Sequence, residues 1–160
     1  MIRMRLFITL LAAGCLLAGC GGTGGGGATA PSGPVADYRN SKAGVVVLDF
    51  FDMYCHTCQT AASHVNELHG LVQRRGLGGR IDFYAIGWGN SPMESEMYRK
   101  RFAVRFPVVA DPDLAISSRF GRFRPPLLIA LRRQGGGWVE IGRFTDLRTN
   151  PEEILAKISP

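Results

Sequence analysis

The stretch Val45–Cys58, VVVLDFFDMYCHTC, decides how the rest of the chain is read. Its first seven residues are β-branched, apolar or aromatic except for Asp49, as expected of a central strand covered on both faces. A carboxylate inside such a strand is costly unless it has a partner or a task. The strand runs directly into two cysteines separated by two residues, Cys55 and Cys58.

A Cys-x-x-Cys pair has three common uses. Zinc needs two further ligands, and His64 and His69 follow. Cys58 and His64 are six residues apart on the expected helix, however, and so point in different directions, and the finger spacing is absent. A c-type haem needs histidine directly after the second cysteine, where this chain has Gln59. No metal and no cofactor is therefore expected. The remaining use is dithiol–disulfide exchange. The pair sits where a strand ends and a helix begins, and a helix N-terminus favours a thiolate. Cys55 is then the exposed nucleophile and Cys58, one turn in, the resolving thiol. His56 lies between them, either adding positive charge beside the thiolate or serving as a solvent-facing spacer.

Outward from this stretch, strand and helix signals alternate. Ala61, Val65, Leu68 and Val72 recur at helical spacing until Gly76. Ile81–Gly87 reads as a second strand. Ser91, Pro92 and Glu94 combine a cap, an N1 proline and a capping box for a helix reaching about Ala103. FPVVADPD gives a short strand and turn, and LAISSRFG a short helix ending at Gly121. LLIAL and WVEIGRF are antiparallel strands joined through RRQGGG, and Asn150, Pro151 and Glu153 repeat the capping pattern for a last helix. The order argues for an α/β sandwich with a mixed sheet.

The chain has 160 residues, 46% of them hydrophobic, which suits one domain with appendages. Four cysteines are too few for a disulfide scaffold. Residues 1–19 carry Arg3 and Arg5 ahead of a short apolar run that ends in LAGC, Leu17–Cys20. This end resembles a bacterial lipobox, which implies cleavage before Cys20 and lipidation of its thiol. AAGC, ending at Cys15, is a weaker match, and an ordinary cleaved signal or an uncleaved anchor are the other readings. Residues 20–34, rich in glycine, read as a lipidated flexible tether, and 35–160 as the folded domain. Gly21 is not the aspartate associated with inner-membrane retention. Without residues 1–19 the chain has 17 basic and 13 acidic residues, a net charge of +4. The arginines are scattered through RKRF and RFGRFR without an aromatic-interleaved stripe, so they read as a solvated surface and nucleic acid is not an expected partner.

The pattern apolar-Asp-Phe-aromatic-x-x-aromatic-Cys-x-x-Cys resembles the active-site strand of the thioredoxin superfamily. The resemblance implies a thioredoxin fold: a central mixed β-sheet flanked by helices. It also implies that Asp49, six residues before Cys55, is buried beneath the sulfur pair and relays protons for Cys58. A cis-proline is implied opposite the pair, at Pro126 by the fit to the following turn, or at Pro125. Pro125, Pro126, Tyr54 and His56 then form the substrate-binding rim, with the backbone before the cis-proline free to pair with an extended client. Tyr54 stands where the family has tryptophan, and Ser63 where it has a helix-kinking proline.

The extra segment SPMESEMYRKRFAVRFPVVADPD resembles the helix–strand insertion of TlpA/ResA-type proteins. These are typically exported, membrane-tethered thiol–disulfide oxidoreductases, many serving cytochrome c maturation. The expectation is a monomeric, extracytoplasmic, membrane-anchored lipoprotein that exchanges disulfides with exported protein partners. The pattern suits a reductant and an oxidant equally. Two rivals are a peroxiredoxin-like thiol peroxidase, whose Thr/Ser position is filled here by Asp52, and a non-catalytic binding module on the same fold.

Overall fold

A computed structural model describes residues 37–159, and the strand that leads into Cys55 and Cys58 lies at the centre of its sheet. The elements are β1 (Val45–Phe51), α1 (His56–Arg74), β2 (Ile81–Trp88), α2 (Pro92–Arg101), β3 (Val108–Asp111), β4 (Leu127–Gln134), β5 (Gly137–Phe144) and α3 (Pro151–Ile158). Two 3-10 turns, Tyr38–Asn40 and Ser117–Phe120, complete them. The sheet order is β3-β2-β1-β4-β5, with β1, β2 and β3 parallel and β4 and β5 antiparallel to their neighbours. The expected α/β class, mixed sheet and helix–strand insertion (α2 and β3) are all present.

Every residue of β1 is buried, and its alternation divides the core in two. Val45, Val47 and Phe51 face a cluster that takes in α1, Tyr98 of α2 and Ile154, Leu155 and Ile158 of α3. Val46, Leu48 and Phe50 face Tyr38, Phe120, Phe123 and Trp138 on the other side. Full burial of each such side chain contributes about 1.5–3 kcal/mol. The helices thus reach the apolar core on one face, and 3-10 turns and aromatic rings cover the other.

The local signals hold at α2. Ser91 accepts from the Glu94 N–H and the Glu94 carboxylate accepts from the Ser91 N–H, closing the capping box. Two expectations need correction. LAISSRFG forms only the 3-10 turn Ser117–Phe120, bounded by positive φ at Leu114 (57°) and Gly121 (80°). At α3, Asn150 accepts from the Glu152 N–H at 3.0 Å as a cap, but the reciprocal bond expected from Glu153 is not formed. The β4–β5 turn is tighter than RRQGGG suggests: Gly135 and Gly136 alone make it, both with positive φ (54° and 84°), the conformation of a two-residue hairpin.

The signal segment 1–19, Cys20 with its tether to residue 34, and Cys15 lie outside the described residues. No helix among the described residues is long and apolar enough to cross a membrane.

Candidate active site

The site is built where β1 stops. Phe51, its last residue, stacks on the Tyr98 ring with centroids 3.8 Å apart, and the chain then turns through Asp52–Tyr54 to Cys55. The buried amide of Asn90, from the β2–α2 connection, accepts the Met53 N–H at 2.9 Å. The Asp52 carboxylate accepts the Tyr54 N–H at 3.0 Å, and Gln59 Nε2 donates to the Met53 carbonyl at 2.9 Å. These bonds fix the loop ahead of the sulfurs.

Cys55 is the N-cap of α1, with extended backbone (φ −80°, ψ 114°). Its Sγ stands where a serine or aspartate oxygen usually caps, and accepts the Cys58 N–H at 3.4 Å. Thr57 Oγ1 lies 3.0 Å from the same sulfur. Partial burial pushes the Cys55 thiol up, but hydrogen bonds from Cys58 and Thr57 outweigh it and leave the thiol below its ordinary value. Cys58 is only 1% exposed. Burial pushes its thiol strongly up, reinforced by the bond to Cys55 and, more weakly, by the Asp49 charge. Both cysteines are free thiols.

Asp49 lies in β1, paired with Ala85 of β2 and Leu128 of β4. By strand alternation it shares the α1-facing side with Val47 and Phe51. It is 4% exposed, and burial pushes its carboxyl up to about 7. A group that takes and gives a proton near neutrality therefore stands on the side of the sheet that carries the sulfurs.

The rim comes from separate segments. The Pro125 carbonyl lies 3.9 Å from Cys55 Sγ, and the Pro125–Pro126 peptide bond is cis, so Pro126 is the cis residue. Pro125 has no N–H, which leaves only its carbonyl to pair with a client, half of what the expectation supposed. Tyr54 is 71% exposed and its hydroxyl donates to Glu94 Oε1 at 2.7 Å, tying the rim to α2. His56 is exposed at the first position of α1, and Thr57 supplies the side-chain hydrogen bond to Cys55. A groove of about 480 Å³ beside Thr57 and Pro126 is bounded by Thr60, Asp146, Leu147 and Arg148.

The structure thus brings Cys55, Cys58, Pro125 and Pro126 together, with Asp49 on the sulfur side of the sheet and Tyr54 and His56 at the rim. Sequence reading missed Thr57, Asn90, Glu94 as partner of Tyr54, and Tyr98, whose hydroxyl donates to the Cys58 carbonyl at 3.0 Å. Only Thr57 left a readable signal, a hydroxyl two residues beyond a helix-capping sulfur. Chemically, the arrangement offers an accessible low-lying thiol, a second thiol buried one turn behind it, and a nearby carboxyl that can hold a proton.

The chain is 25% identical over 101 residues to the thiol-disulfide oxidoreductase ResA of Geobacillus thermodenitrificans, which covers 63% of this chain and 54% of that one. It is 23% identical over 128 residues to ResA of Halalkalibacterium halodurans, covering 80% and 70%. The chain thus spans about half the length of the Geobacillus relative. No protein-family model matches. Among solved structures, a putative thiol:disulfide interchange protein DsbE from Chlorobium tepidum superposes with a TM-score of 0.59 at 18% identity, covering 76% of this chain and 84% of that one. StoA from Bacillus subtilis superposes at 0.58 with 13% identity, covering 72% and 83%. The chain has the thioredoxin fold.

Proposed function

We propose that this chain, which has the thioredoxin fold and is similar to ResA thiol–disulfide oxidoreductases, is of the TlpA/ResA type and exchanges its Cys55–Cys58 dithiol with the disulfides of exported proteins. The observation that carries the reading is the asymmetry of the two sulfurs. Cys55 is reachable and held low by hydrogen bonds to its sulfur, while Cys58 is buried and held high. The Cys55 thiolate attacks a client disulfide, forming a mixed disulfide and releasing one client thiolate, which takes up a proton. Cys58 then gives its proton to Asp49 and attacks Cys55 Sγ. The second client sulfur leaves as a thiolate and is protonated. Two electrons pass to the client, and Cys55–Cys58 becomes a disulfide. Run backwards, the same steps oxidise a client dithiol. Tyr54, His56, Pro125 and Pro126 form the rim against which the client lies.

Removing the resolving thiol tests this directly. Cys58→Ser protein, isolated without reductant from its own host, is expected to carry clients bonded through Cys55. Cys55→Ser should trap far fewer, because Cys58 is out of reach. Equal trapping by both would mean that the roles of the two sulfurs are wrongly assigned, and none by either would favour the binding module. Clients with the paired cysteines of cytochrome c precursors would place the protein in cytochrome c maturation.

The location follows from the sequence at Leu17–Cys20. Cleavage before Cys20, with lipid on its thiol, would leave the glycine-rich tether to hold the domain outside the cytoplasm beside a membrane. Cys20→Ala should prevent acylation and cleavage at that site. An unmodified N-terminus on soluble wild-type protein would overturn the anchor.

A further inference from the structure

The segment Arg119–Arg124, RFGRFR, reads from sequence as a solvated basic surface, yet the fold lines a groove with two of its arginines, the second of which is bonded to Pro125 of the redox site. A cavity of about 480 Å³ is lined by Trp88, Leu114, Ser118, Arg122, Phe123 and Arg124, with no carboxylate in its wall. Arg122 and Arg124 are exposed and form no ion pair with a carboxylate among the described residues. The one acid buried close by, Asp111, is already saturated by the Ile116 and Ser117 N–H groups and the Ser117 hydroxyl. Phe123 packs edge-on against Phe50 of β1, with centroids 4.9 Å apart, so the arginines flank an anchored ring.

Arg124 is bonded directly to Pro125, whose carbonyl faces Cys55 Sγ at 3.9 Å. Pro125 and Pro126 have no N–H, so beside the nucleophile the main chain of these two residues offers a client acceptors only. A client strand cannot be held there by the alternating donors and acceptors that normally add a strand to a sheet edge. Orientation must come from side chains, and those next in line are guanidinium groups, whose geometry suits carboxylates.

Resting on the exchange reading above, we propose that the Arg122–Arg124 groove binds acidic residues flanking the reacting cysteine of a client polypeptide. Arg124 adjoins the residue that faces Cys55, and three residues of extended chain span roughly 10 Å, which puts those acids within about three residues of the client cysteine.

The test uses two disulfide-bonded peptides that differ only in glutamate or lysine at the second and third residues from the cysteine. Their second-order exchange rates are measured with wild type and with Arg122→Glu/Arg124→Glu, at low and high salt, alongside thermal unfolding of both proteins. Wild type should prefer the glutamate peptide roughly three- to tenfold, the range expected of two exposed ion pairs, and lose the preference in high salt. The variant should prefer the lysine peptide. Equal rates for the two peptides with wild type overturn the proposal while leaving the exchange reading intact. An equal loss with both peptides in the variant makes the arginines structural and also overturns it. No exchange of either peptide by wild type sinks both readings. Absence of peptide preference, with loss of binding to phosphatidylglycerol vesicles in the variant, would assign the arginines to a lipid surface instead.

Discussion

Tyr98, in the middle of α2, donates its hydroxyl to the main-chain carbonyl of Cys58 at 3.0 Å, while its ring stacks on Phe51. One side chain of the helix–strand insertion therefore touches both the end of β1 and the first turn of α1, the two pieces of backbone that hold the sulfurs. The insertion acts as a brace behind the redox pair. Tyr98→Phe keeps the stacked ring and removes only the hydroxyl. The expected loss is about 1 kcal/mol in denaturant unfolding, with the step in which Cys58 resolves the mixed disulfide slowed more than the first attack. Stopped-flow kinetics that resolve the two steps would check the partition.

Thr57 is expected to set how readily Cys55 ionises. Its hydroxyl is 3.0 Å from Cys55 Sγ, and hydrogen bonding to a thiolate favours the charged form. Thr57→Val preserves shape at an exposed position and deletes the donor. The Cys55 thiol should move up towards its ordinary value, and exchange at neutral pH should slow in proportion to the lost thiolate. Ultraviolet titration of thiolate absorbance measures the first effect. An unchanged titration would mean that the helix N-terminus alone stabilises the sulfur.

Asn90 should matter more than its distance from the sulfurs in sequence suggests. It is 3% exposed, and its side-chain oxygen is the partner of the Met53 N–H. Asn90→Ala leaves that buried donor unpaired, an expected cost of about 1–3 kcal/mol in stability. Because Met53 also receives Gln59 through its carbonyl, the loop into Cys55 should loosen with it. Faster amide exchange confined to residues 52–55 would show the effect directly.

These contacts explain what could and could not be read from sequence. β1, the start of α1 and the capping box of α2 depend on patterns within a few residues, and all three are legible in the chain. Asp49 was legible too, since an acid in a seven-residue apolar strand six residues before a cysteine is a local anomaly. The bonds Met53–Asn90, Tyr54–Glu94 and Cys58–Tyr98 join residues 37 to 40 positions apart and exist only once α2 has docked. No periodicity announces them. LAISSRFG reads as a helix because nothing in its residue types announces the positive φ at Leu114 (57°) that delays the turn to Ser117.

Asp49 should work against stability at neutral pH, and that is the clearest sign of a functional rather than structural acid. Burial raises its carboxyl from 3.8 to about 7 in the folded protein. A raised value means that the folded state holds the proton longer than the unfolded chain does. The stability contributed by the neutral acid is therefore whole below about pH 4 and is lost as the pH climbs to about 7, after which the loss is constant. The full difference is roughly 4 kcal/mol, an upper bound given that the folded site can relax. Asp49→Asn is neutral at every pH and should escape this loss. Denaturant unfolding at pH 8 should then find the variant more stable than wild type by up to ~4 kcal/mol, with the gap closing as the pH falls towards 4. Exchange should move the other way: without a nearby group to accept the Cys58 proton, resolution of the mixed disulfide should slow, most of all around neutral pH. A variant that is both more stable and slower would identify Asp49 as a proton acceptor kept at the expense of the fold. A variant that is less stable at pH 8, with unaltered exchange, would make Asp49 a structural residue and remove it from the mechanism.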